Sequence, residues 1–349
     1  MLNPLSILRE IRALFKIRRF MVRTLSLYHV MLPGKYKIHW SEKPILYNEN
    51  DASVTKRHPV VFLHFLSYFF SKKIVMLHKD IEFNGEYAVM SLNNEMKIFS
   101  IANRQVLSIM KKEKKERLQS VAKKLSGLNL AYSHSVDCGV VDRLINDELK
   151  KLSFSKKRNL YFRFLEDYQN FAKRSPVEDS MLVKSRLSSL KAVGKDVSNV
   201  VVRLSKYMSS ESYPVIFSHC DLHLDNMMCE NGKIWYIDIE YARNEIFIYD
   251  IFIAIVVGFW KYGDSYLLKE YLCQNGNLVD RIASIFNVMG KNFQVSQKKE
   301  YLFDFLAARL LFDVANGKKR FGKIGFARYM KYLAKQNNSI IDYIEALYD

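Results

Sequence analysis

A change of period partway along the chain constrains its fold more than any other feature. From about residue 81 the pattern is β-like, in three short runs: 87–92 (YAVMSL), 96–101 (MKIFSI) and 104–110 (RQVLSIM). The pairs Asn93-Asn94 and Ala102-Asn103 mark turns between them. A charged run at 111–125 (KKEKKERLQSVAKKL) predicts a helix, and apolar-rich segments follow at 128–133 and 139–145. Beyond residue 150 the period is helical. Leu160, Leu165, Tyr168 and Phe171 form one stripe, and Leu187, Leu190, Val193, Val197, Val201 and Leu204 form another. Tyr301, Leu302, Phe305, Leu306 and Leu310 are spaced for a third. A single β-like island, 213–242, interrupts these helices. Strands gathered in one part and helices in the other predict an α+β fold of two lobes: a small strand-rich one over 81–146 and a larger, mostly helical one over 147–349. The 349 residues suit two lobes. Only 13 Gly and 6 Pro exclude a collagen-like chain and a turn-dense all-β sandwich.

Residues 1–80 read as a basic, amphipathic amino-terminal extension. In 5–25, Leu8, Ile11, Phe15 and Val22 share a helical face, with Arg9, Arg12, Lys16, Arg19 and Arg23 on its flanks. Such a helix either lies in the headgroup layer of an anionic membrane or packs its stripe on the domain. The whole chain has 54 Lys and Arg against 36 Asp and Glu, a net +18. Residues 1–80 hold 14 and 5 of these, a net +9, so half the excess lies in under a quarter of the chain. That excess favours an anionic partner: nucleic acid, a membrane surface or a phosphate-bearing substrate. Nucleic acid is disfavoured, because the basic runs 111–124 and 318–331 have few interleaved aromatics. The apolar runs 59–70 and 251–260 fall short of the ~20 residues of a membrane-spanning helix. Four cysteines (Cys138, Cys220, Cys229, Cys273) without a CxxC, and no secretory signal pattern, predict a cytoplasmic protein. Residues 5–25 would hold it peripherally on the inner face of the membrane. Nothing in the pattern fixes an oligomeric state.

The island carries the chemistry. A strand at 214–218 leads into His219-Cys220-Asp221-Leu222-His223-Leu224-Asp225-Asn226; Asn231-Gly232 makes a tight hairpin turn; and a second strand at 233–237 ends in Asp238 and Glu240. Asp221 and Asn226 are five apart, Asp221 and Asp238 seventeen apart. A hairpin of that length can set the loop beside the strand end. Asn226 and Asp238 would then offer oxygen ligands for Mg²⁺, leaving Asp221 to orient or deprotonate a hydroxyl. The alternation of His219, Asp221, His223 and Asp225 also suits a transition-metal cluster, but it matches none of the familiar zinc spacings. His223 reads as a loop surface residue, Cys220 and Cys229 as core packing, and Asp250 as a helix cap for 251–260 or a brace for the loop.

His219-x-Asp221-x-x-x-x-Asn226, then Ile237-Asp238-Ile239-Glu240, then Tyr249-Asp250-Ile251 resembles the catalytic core of the aminoglycoside phosphotransferase and choline kinase family, with its protein-kinase-like fold. The clear match covers about residues 214–254. The resemblance implies that Asp221 is the catalytic base and that Asn226 and Asp238 are the magnesium ligands. His219 and Glu240 would be structural, and Asp250 a buried acceptor for the loop backbone. It further implies ATP near 141–145, with Asn93 and Asn94 in the loop over its phosphates. Ser108 fills the place of the family's strand lysine, so Lys111 or Lys112 would have to reach the phosphates, with Glu116 as partner. The expected activity is ATP- and Mg²⁺-dependent transfer of the γ-phosphate to a hydroxyl of a small molecule or glycan. A membrane-proximal, cell-envelope sugar suits the charge of the chain. The alternatives are a choline, ethanolamine or aminoglycoside kinase, or a catalytically dead kinase-like module that binds through a basic surface.

Overall fold

A computed structural model of the chain describes residues 16, 19–25, 27–28, 30–39, 45–48, 74–76, 83–90, 95–148 and 157–348. The chain divides into two compact units, 1–120 with 131–145, and 121–130 with 146–349.

The first unit is built on one antiparallel sheet. Its strands are β1 (Gly34–His39), β2 (Ile45–Asn48), β3 (Ile74–Met76), β4 (Tyr87–Met90), β5 (Met96–Ser100), β6 (Gln105–Ile109), β7 (Tyr132–Val136) and β8 (Gly139–Arg143), in the order β3-β1-β2-β4-β5-β6-β8-β7. Helix α1 (Lys112–Lys124) lies between β6 and β7 in the chain. Strands β1 to β3 come from the segment that the sequence reading sets apart as an extension. In GKYKIH the lysines alternate with Tyr36 and Ile38 at the strand period, a signal that the reading of the segment as basic passed over.

Register assigns the two faces of the sheet, since side chains alternate along each strand. Ala88 pairs with Ile98, Ile98 with Leu107, and Leu107 with Val141. Met90, Met96 and Ile109 form the next row of the same face. All are buried in one cluster with Met21 and Leu25 from the helical residues 19–25. Within the described part of the amphipathic stretch, the apolar side thus packs into the protein. The rest of 5–25 and the run 60–70 lie outside the described residues. The opposite face carries the row Val89, Lys97, Ser108, Val140. At Gly139 any Cβ would collide with the Ser108 carbonyl, so the close approach of β6 and β8 demands glycine there.

The second unit comprises α2 (Arg158–Arg174), β9 (Asp179–Met181), α3 (Val183–Leu187), α4 (Lys195–Tyr207), β10 (Tyr213–Ser218), β11 (Met227–Glu230), β12 (Lys233–Tyr236), β13 (Arg243–Ile246), α5 (Ile248–Tyr262), α6 (Tyr266–Cys273), α7 (Asn277–Val288), α8 (Lys298–Arg320) and α9 (Lys323–Ala346). Helix α5 is the hub. Every residue from Ile248 to Val256 is buried, so it shows a continuous apolar run where a surface helix would show a stripe. The hydroxyl of Tyr168 on α2 donates to the Phe247 carbonyl (2.8 Å), and that of Tyr161 donates to Ile251. A small sheet, β13-β10-β9, sits in this helical unit beside the β11–β12 hairpin. Asn231 (φ 50°) and Gly232 (φ 67°) both adopt positive φ in that hairpin, the two-residue turn expected of Asn-Gly. Acidic side chains hold the hairpin backbone: the Asn231 N–H donates to Glu148 (2.6 Å) and the Cys229 N–H to Asp147 (3.1 Å). The α+β expectation is met, with a strand-rich unit and a mostly helical one. No helix among the described residues is long and apolar enough to cross a membrane.

Candidate active site

The loop after β10 is anchored by one buried carboxylate. Asp250, wholly buried in the first turn of α5, accepts from the His219 N–H through one oxygen (2.8 Å) and from the Cys220 N–H through the other (2.7 Å). The backbone enters the left-handed region at Cys220 (φ 65°), a conformation that L residues other than glycine rarely adopt. Two hydrogen bonds at the bend oppose that strain. Burial pushes the Asp250 carboxyl up to about 7, against the two N–H groups and the Arg243 guanidinium, which favour its charged form. Asp250 is the third residue of α5 and Phe247 is the cap position, so Asp250 acts as a brace and not as the helix cap.

His219 closes the loop from the other side, with its Nε2 2.9 Å from the Ile237 carbonyl. The imidazole is fully buried, and desolvation lowers its pKa to about 4, so it is neutral. Nε2 must then carry the proton and donate. Ile237 is the residue before Asp238, so this contact ties the loop to the end of the neighbouring strand. A second tie runs from the Ile237 N–H to the Asn226 carbonyl (3.1 Å).

These ties bring three of the expected residues together. The Asn226 Nδ2 donates to the Asp221 carbonyl (2.8 Å) and to Asp221 Oδ2 (3.0 Å). Asp238 is exposed, has left-handed backbone (φ 58°) and lies close enough to raise the Asp221 pKa by like-charge repulsion. Burial is the larger cause, and the Asp221 carboxyl is pushed up to about 6, opposed by the Arg309 guanidinium and the Asn226 hydrogen bond. Glu240 is half-buried in the short helical turn Ile239–Tyr241 that follows Asp238.

The sequence reading passed over several neighbours. His223 is largely buried, with its side chain 16% exposed and Nε2 3.9 Å from Asp221 Oδ2; it is not a loop surface residue. Burial lowers its pKa to about 4, and its Nδ1 accepts from the Asp225 N–H (3.3 Å). Asp225 turns away to Lys261 and Tyr262. The metal-cluster alternative accordingly finds no support: among the described residues, no group of three or more His, Cys, Asp or Glu could hold a metal. Arg309, on α8, donates to Asp313 (2.8 Å) and to the Tyr249 hydroxyl (3.4 Å) while facing the Asp221 charge. It lies 88 positions beyond Asp221 with no motif around it, and only the fold reveals it. A cavity of about 490 Å³ opens on Asp221 and Arg309.

In the first unit the expected nucleotide contacts are spread apart. Asn93 and Asn94 lie outside the described residues. Lys111 is exposed just before α1, and Glu116 pairs loosely with Lys112 (3.8 Å) on the outer face of that helix. Ser108 is buried, and its register partner on β5 is Lys97, a residue whose place beside it could be found only from the strand pairing.

Comparison with known proteins agrees with the resemblance read from the loop. The choline/ethanolamine kinase family model matches residues 89–257, just under half of the chain. No curated protein sequence matches. Among solved structures, a choline/ethanolamine kinase family protein from Mesorhizobium loti is 13% identical, with 71% of this chain and 85% of that one covered and a TM-score of 0.43. An ethanolamine kinase from Plasmodium vivax is 12% identical, covering 73% and 78%, with a TM-score of 0.39. An amicoumacin kinase complexed with AMP-PNP and Ca²⁺ is 13% identical, covering 94% and 96%, with a TM-score of 0.44. Over the span that holds β4 to most of α5, the chain is similar to the choline/ethanolamine kinases, a family of small-molecule phosphotransferases.

Proposed function

We propose that the protein transfers the γ-phosphate of ATP to a hydroxyl of a small molecule or glycan, with Asp221 as the catalytic base. The observation that carries this reading is the braced loop: Asp221, hydrogen-bonded by Asn226, set beside Asp238 and open to a cavity. Asp221 accepts the acceptor's proton as the hydroxyl oxygen forms its bond to phosphorus. The bond from phosphorus to the β,γ-bridging oxygen breaks, and ADP leaves. With its carboxyl raised to about 6, Asp221 is ionised at neutral pH yet basic enough to take that proton. Arg309 keeps Asp221 from rising further, and the Asn226 amide fixes its rotamer.

The donor set fits a hard divalent cation. Asn226 has committed its nitrogen to Asp221, which leaves its amide oxygen as the group that could face a cation, and Asp238 adds an exposed carboxylate. Mg²⁺ typically takes one or two protein oxygens of this kind and completes its shell with phosphate and water. Bound there, it would neutralise charge on the transferring phosphoryl group. For the phosphate-contacting lysine, Lys111 and Lys97 are the candidates; replacing each in turn and reading KM for ATP separates them. The net +18 and its amino-terminal bias support an acceptor at an anionic membrane surface, and the four cysteines without a CxxC support a cytoplasmic protein.

The test is ADP formation in the presence of candidate alcohols, comparing wild type with Asp221→Ala. A loss of about 10²–10⁴-fold is expected for removal of a general base; undiminished turnover in the variant removes the assignment.

A further inference from the structure

We propose that the cavity beside Asp221 takes an acceptor bearing an anionic group, phosphate or carboxylate, close to the hydroxyl that is phosphorylated; this rests on the phosphotransferase reading above. The cavity, about 490 Å³, lies wholly within the second unit and suits a sugar-sized molecule. Three cations line it, Arg309, Lys319 and Arg320, all on α8. Two acids line it, Asp221 and Asp313, and Arg309 already bridges Asp313. Among the described residues no ion pair holds Lys319 or Arg320. An incoming molecule therefore meets two uncompensated positive charges together with the base.

The aromatic lining points the same way. A site for choline or another ammonium compound needs open ring faces or unpaired acids. Of the four rings that line it, Phe312 and Phe321 already carry the chain's own cations, while Tyr241 and Tyr329 do not. The guanidinium of Arg243 lies 3.5 Å from the Phe312 centroid and that of Arg309 5.8 Å from it, while Arg320 lies 5.5 Å from that of Phe321. Tyr329 packs against Phe321 at 5.0 Å. A cationic acceptor brought to this wall meets repulsion, whereas a phosphate or carboxylate meets donors in fork geometry. Basic residues at the end of a helix also offset its dipole. Lys318 shares that end of α8 but does not line the cavity, which makes it a charge-matched control.

The experiment measures phosphorylation by the full chain with MgATP and matched acceptors: glycerol and glucose, glycerol 3-phosphate and glucose 6-phosphate, choline and kanamycin, and phosphatidylglycerol vesicles. An anionic acceptor is expected to exceed its neutral counterpart by about 100-fold in kcat/KM. Lys319→Glu combined with Arg320→Glu should raise the anionic acceptor's KM about tenfold, and Lys318→Glu should not. Preference for dissolved phosphates or for vesicles supports the proposal alike and assigns the anion to a free metabolite or to a lipid headgroup. Turnover of choline or kanamycin equal to that of the anionic acceptors overturns it, as does a double variant no different from Lys318→Glu. If MgATP raises the melting temperature but no acceptor is phosphorylated, the acceptor inference alone falls. If MgATP gives neither stabilisation nor ADP, the phosphotransferase reading falls with it.

Discussion

Each of the two units draws its internal stability from a different kind of contact. The first relies on repetition: Ala88, Ile98, Leu107 and Val141 in one row, Met90, Met96 and Ile109 in the next, each contributing burial and none unique. The second depends, at its loop, on single polar groups in a dry interior: Asp250 on two backbone N–H groups and His219 on one carbonyl. Apolar rows fail gradually as area is lost, at roughly 25 cal/mol per Å². A buried polar group fails at once, because its partner is left unsatisfied. Structural tolerance belongs to the sheet, and precision to the loop.

The largest effect expected from that contrast is at Asp250. Asp250→Ala strands two backbone N–H groups and should cost about 3 kcal/mol, read as a lower urea midpoint. Asp250→Asn, which can still accept at one oxygen, should recover part of it. A loss below ~1 kcal/mol for the alanine variant would break the comparison. Gly139→Ala tests a place where the sheet is not tolerant; forcing a methyl against the Ser108 carbonyl should cost about 2 kcal/mol. The pH profile follows. With the Asp221 carboxyl raised to about 6, the proposed base is lost as pH falls, so kcat/KM should drop about tenfold per unit below that point. His219 and His223, lowered to about 4, stay neutral across that limb. Arg309→Met removes a cation that holds Asp221 down and should move the limb to higher pH. The smallest effect is at the Lys112–Glu116 pair, whose side chains are 80% and 57% exposed; replacing either should change stability by no more than about 0.5 kcal/mol.

The same contrast governs what could be read in advance. Contiguous pattern was legible: the period change gave the α+β division, Asn231-Gly232 the hairpin turn, and the spacing from His219 to Asp250 the resemblance to choline kinases that the family model supports. Contacts made only by folding were not. Lys97 meets Ser108 through strand register, Arg309 reaches Asp221 from a distant helix, and His223 is largely covered although it alternates with Asp221 and Asp225 in a polar loop. Strands β1 to β3 escaped notice because β1 alternates inside a segment that reads first as basic, while β2 (ILYN) and β3 (IVM) are too short to show a period.

The left-handed backbone at Cys220 and Asp238 has a cost that the native sequence retains. Glycine would accept both conformations freely, and each substitution would relieve on the order of 1 kcal/mol of steric conflict. At Cys220 that relief is offset by the loss of a wholly buried side chain, and at Asp238 glycine would also remove the carboxylate proposed for the cation, so the strained residues hold the proposed site at the expense of local backbone comfort.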